Sequence, residues 1–268
     1  MPIYERISAV VSLSLIGLTL YFALDFPIET TQFTLFNSAV GVNSPRQWLM
    51  ILLLGGLAIV GTDTVIRAHP SLPSQRHDYV ATFCMLPGLL VILATQLLRL
   101  APNSVVWIIG LVVVGILLWF TIIIELQQIP LDPTLAYGWR RPWQQLISYG
   151  LILAFIMLIY QTRSRSAMSA TGIALVSMMV AVTLLRQKPA TISKTWLFAF
   201  IIGLSLGQIT WVLNYWRTTT LSAGLFLFLI FYGLLGLAQQ QLLGKFSRQV
   251  LWEFGIVSVI TLWVIFKL

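Results

Sequence analysis

Apolar residues run along this chain in continuous blocks of roughly 20, the length a helix needs to cross a hydrocarbon layer. The blocks predict spans near Ile7–Leu24, Gln47–Ile66, Tyr79–Leu98, Val105–Ile124 and Gln145–Tyr160. Four more follow near Ala167–Leu185, Lys194–Asn214, Leu221–Leu237 and Val250–Phe266. A membrane barrel would instead alternate apolar and polar positions in segments of about ten. Runs such as Val105–Ile124 do not alternate, so the expected fold is an all-α polytopic transmembrane bundle of about nine spans with short loops. Aromatic rings that suit a headgroup layer mark several span ends, among them Trp48, Trp107, Tyr160, Trp196 and Trp252. Prolines also fall mostly at span ends. Pro87 is the exception, inside the third span, where it predicts a kink. The first apolar run, about 18 residues, exceeds the roughly 7–15 of a signal-peptide core and has no A-x-A site after it, so it reads as a retained span.

Composition sharpens this picture. Hydrophobic residues make up 58% of the 268 positions and charged residues only 9%. A soluble domain carries about 25% charged residues, so the lipid bilayer is the expected surroundings of much of this surface. The net charge of +8 does not imply nucleic acid, because the basic residues occur singly or in pairs between spans. Arg6, Arg67, Arg76, Arg140, Arg141, Arg186, Lys188, Lys194, Lys245 and Arg248 would lie on the N-terminal side. Arg46, Arg99, Arg163, Arg165, Arg217 and Lys267 would lie on the other. The excess predicts a cytoplasmic N-terminus and, with an odd number of spans, an exterior C-terminus.

No connection is long enough for a soluble domain, so residues 1–268 read as a single integral membrane domain. In the loop Asp25–Arg46, Thr31–Leu35 alternates and Asn37–Ser38 supplies turn chemistry, which predicts a small surface hairpin. There is also an internal echo. Val65-Ile66-Arg67-Ala68-His69-Pro70 and Leu184-Leu185-Arg186-Gln187-Lys188-Pro189 share a pattern at an offset of 119 residues, Arg67 to Arg186. It suggests a weak parallel repeat, 1–124 and 145–237, plus a final helix. Arg followed by Pro is also a common cytoplasmic end to a span.

An ionisable side chain within the membrane is the best default pointer to function, and few are present. Asp63 is the one acid placed well inside a predicted span, with Arg67 on the same helix face one turn on. The pair reads first as a helix-end ion pair. With Gln208 it also forms a candidate polar cavity, near Pro87. His69 and His77 share one loop, too few for a metal site and unable to clamp a haem from separate spans. Single Cys84 forms no internal disulfide and no metal or redox motif. No metal and no cofactor is indicated.

Three further groups carry weaker signals. Trp139, Arg140, Arg141 and Trp143 form an aromatic-basic cluster suited to anionic lipid head groups. Ala199, Gly203 and Gly207 recur at steps of four and would let another helix approach closely, within the chain or from another. Asp25 and Glu29 are outer-loop acids able to bind a divalent ion or act as a base. Their placement resembles that of the first outer-loop acid of polytopic glycosyltransferases that use lipid-linked sugars, although no large outer domain follows. Walker A, H-E-x-x-H, G-x-S-x-G and C-x-x-C motifs are absent.

These features favour a non-catalytic subunit or scaffold of a membrane assembly, with partner membrane chains or a homo-oligomer. Alternatives are a carrier for a small or lipid-like substrate and, through Asp25 and Glu29, a lipid-linked sugar transferase.

Overall fold

The structure, a computed structural model, describes residues 3–24, 30–35, 38–43, 45–68, 77–129, 140–161, 166–186, 192–216 and 219–243. Helix α1 (Ile3–Ala23) leads into an antiparallel hairpin, β1 (Thr30–Leu35) and β2 (Ser38–Asn43), in which Thr30 pairs with Asn43 and Leu35 with Ser38. Seven helices follow: α2 (Pro45–Arg67), α3 (His77–Leu98), α4 (Ser104–Gln127), α5 (Arg140–Gln161), α6 (Ser166–Leu185), α7 (Ile192–Leu213) and α8 (Thr220–Leu243). All eight helices are long and apolar enough to cross a membrane. The count among the described residues is therefore eight where the hydropathy pattern gives about nine. The ninth expected span, Val250–Phe266, lies outside the described residues.

Local chemistry explains where two helices begin. The Asn103 side chain accepts the Val106 N–H at 3.0 Å, capping α4, and Thr219 Oγ1 accepts the Ser222 N–H at 3.2 Å ahead of α8. Both satisfy a donor that a helix N-terminus leaves without an internal partner. The fourth span is longer than its hydropathy suggests. Its helix runs to Gln127, so Glu125, which the sequence pattern assigns to a loop, belongs to the last turn of α4 and is fully buried. α3 continues through Pro87, although proline removes one intrahelical hydrogen bond.

The chain forms two compact units, residues 1–75 with 87–136, and 76–86 with 137–268. One of the three boundaries along the chain falls inside α3, between Leu86 and Pro87. In the first unit α1 packs against α2 and α4, with Phe22 edge-on to Trp107 at 5.6 Å. α2 meets α3 at Gly55 and Gly88, where a Cβ on Gly88 would stand 3.4 Å from the Gly55 carbonyl oxygen. In the second unit α5 packs against α6 and α8, and α7 against α6 and α8. Tyr149 of α5 lies in edge and tilted contact with Phe228, Phe231 and Tyr232 of α8.

Candidate functional site

Buried hydroxyls in the spans turn back onto their own helices. Ser14 donates to the Val10 carbonyl, Thr62 to Ala58, Thr82 to Tyr79, Thr183 to Val180 and Thr210 to Leu206, at 2.7–2.9 Å. Each bond satisfies a polar group that an apolar setting would otherwise leave at a cost. Ser148 is different: its Oγ is buried and has no hydrogen-bond partner among the described residues.

Polar contacts between helices sit near helix ends. The Arg99 guanidinium donates to Gln47 Oε1 at 3.0 Å in the first unit. In the second, the Asn214 amide donates to Ser169 Oγ at 2.8 Å and the Gln239 amide reaches the Leu184 carbonyl at 3.5 Å. Just past α6, the Arg186 guanidinium lies 3.5 Å over the Phe83 ring and 3.5 Å from Thr82 Oγ1. That stacking uses the negative face of the ring. The sequence pattern reads Arg186 as a topology signal and as part of the internal echo, and the distance to Phe83 along the chain hides the contact.

Asp63 and Arg67 form the expected pair, with Nε to Oδ2 at 2.6 Å and side chains 30% and 41% exposed. The pair sits part-exposed in the last two turns of α2. Gln208 lies on an exposed face of α7, flanked by exposed Leu204, Trp211 and Val212. Asp63 belongs to the first unit and Gln208 to the second, and neither is buried inside its own unit.

Gly203 and Gly207 face α6. A Cβ on Gly203 would stand 2.6 Å from the Ala174 carbonyl oxygen, and one on Gly207 would stand 2.9 Å from Ala174 Cβ. Ala199 is fully buried on the same face. Glycine is required here by close approach: any side chain would push the helices apart.

Arg141 is half-buried and Trp143 exposed at the start of α5. Arg140 opens that helix, but its side chain lies outside the described residues, as do Trp139, Asp25, Glu29 and His69 and the side chain of His77. Cys84 is buried, its thiol directed at the Val80 carbonyl at 3.6 Å. Among the described residues no three His, Cys, Asp or Glu side chains gather closely enough to hold a metal ion.

The acid that sequence reading missed is Glu125. Leu118, Thr121, Ile122 and Glu125 recur at helical spacing and are all fully buried. That periodicity, extended one turn beyond Ile124, is the signal that finds it.

No curated protein and no solved structure matches the chain. Residues 26–268, which take in every described element after α1, match the family model described as Protein of unknown function (DUF5656), and the chain belongs to that family.

Proposed function

We propose that this protein is an integral membrane scaffold or subunit, a multi-pass helical chain that works by holding partner chains or further copies of itself in the bilayer. The observation that carries this reading is where the polar groups go. Buried hydroxyls along the spans, Ser148 excepted, are consumed by their own backbones, and the interhelical polar contacts described above sit near helix ends. Apolar packing and close glycine contacts hold the middles together, a construction suited to a rigid support. α4 adds an outward face: the least buried of the eight helices, it exposes Val105, Ile109, Val112, Val113 and Ile116.

The basic-residue asymmetry supports a cytoplasmic N-terminus in this reading. Arg141 and Trp143, at the start of α5, suit contact with anionic head groups on that side. A photo-reactive side chain placed at Val112 or Ile109 in native membranes tests the proposal. Discrete adducts with another chain are expected, and adducts with lipid alone at every exposed α4 position would overturn it.

A carrier for a small or lipid-like substrate is the second reading. It draws on the division of the chain into two compact units, since carriers commonly move one bundle against another. Its test is saturable flux of neutral solutes into vesicles containing the purified chain.

A further inference from the structure

We infer that two copies of this chain pair in the bilayer through the outward face of α7, with the Gln208 amides of the two copies hydrogen-bonded to each other across the seam. The observation that carries it is the setting of that amide.

α7 has two faces. Gly203 and Gly207 lie against α6, with Ala199, Ile202, Leu206 and Thr210 buried beside them. The opposite side carries Leu197, Ile201, Leu204, Gln208 and Trp211, all exposed. Their steps along the chain are four, three, four and three residues. That alternation keeps one seam of a helix turned toward a second helix over its whole length. Leucine and isoleucine at such positions would suit lipid equally well. Gln208 would not.

Trp196 precedes Gln208 by twelve residues and Trp216 follows it by eight. At the rise of a helix the amide therefore lies roughly 18 Å and 12 Å from these two aromatic ends, inside the hydrocarbon layer. An amide without a partner is costly there. Exposed hydroxyls of other spans avoid that cost by bonding to their own helices. Thr19 donates to the Leu15 carbonyl at 2.8 Å, Thr64 to Gly61 at 2.7 Å and Thr171 to Ala167 at 2.8 Å. Gln208 makes no side-chain hydrogen bond to any described residue.

A second copy is the occupant whose chemistry fits. Copies inserted with the same topology are related by a two-fold axis along the membrane normal. Their α7 helices then run parallel, and each position meets its counterpart at the same depth. An amide offers both N–H donors and a carbonyl acceptor, so two of them facing across the axis satisfy each other reciprocally. A lone polar residue within an apolar seam also fixes the register of the pair. The pairing uses a helix other than α4 and stands whether the protein is a scaffold or a carrier.

Disulfide trapping of the full chain in native membranes tests it. Leu204→Cys and Trp211→Cys each place one thiol on the seam and leave Gln208 in place, while the chain's own Cys84 is buried. Oxidation should give a product of twice the chain mass from both variants and none from the native chain. Adding Gln208→Leu, which suits lipid and leaves the buried face of α7 untouched, should lower the yield about fivefold, the loss expected from one interhelical polar contact. No doubled product at either position would overturn the pairing, as would a product joining the chain to a different protein. An undiminished yield with Gln208→Leu would overturn the part given to the amide.

Discussion

Gly207 shows how strongly a single residue can matter in a span without chemistry of its own. Its Cβ position is occupied by Ala174 and lies 3.2 Å from the Ala170 carbonyl oxygen, and backbone cannot move aside as a side-chain tip can. Gly207→Val should therefore cost roughly 1–3 kcal/mol by overpacking, read as a lower midpoint of thermal unfolding in detergent. The exposed Asp63–Arg67 pair is the opposite case. Asp63→Asn should change stability by less than about 0.5 kcal/mol, as expected of a part-exposed i,i+4 helical pair. A large loss of stability in that variant would mean the carboxylate has another task. The small-residue step Ala199, Gly203, Gly207 was legible because close helix approach leaves a periodic trace in sequence. The stacking of Arg186 on Phe83 leaves none, because it depends on which helices become neighbours. Polarity in an apolar run does not say which face a residue occupies, and Gln208 lies on an exposed face of α7.

At the scale of elements, hydropathy located the eight described helices, with ends off by up to about six residues, as at α8, since bilayer thickness fixes the length of each run. Ends were less legible. α4 extends past Ile124 to Gln127 because burial of Glu125 continues the helix face beyond the last aliphatic residue. Its start depends on a cap, and Asn103→Ala should destabilise the helix by about 1 kcal/mol, seen as faster amide exchange at Val105–Trp107. The hairpin was legible for the opposite reason from the spans: period-two alternation in Thr31–Leu35 beside Asn37–Ser38 is a short-range signal. Its pairing, Thr30 with Asn43 through Leu35 with Ser38, follows that signal.

The whole molecule is where sequence says least, since no long-range contact is written in hydropathy. Charge asymmetry does make one claim at this scale. A reporter fused before α1 should be active only when it lies in the cytoplasm, and an impermeant thiol reagent added from outside should label a cysteine placed in the hairpin. The opposite pattern would invert the topology. The proposed role rests on buried hydroxyls that mostly bond to their own helices and on apolar faces such as that of α4 turned outward. The most direct measurement is the mass of the native particle, extracted with its lipids by a polymer and never exposed to detergent. A scaffold or subunit predicts a discrete assembly larger than one chain, made of further copies or a second membrane protein. A particle holding one chain and lipid only, capable of solute flux once reconstituted, would contradict it.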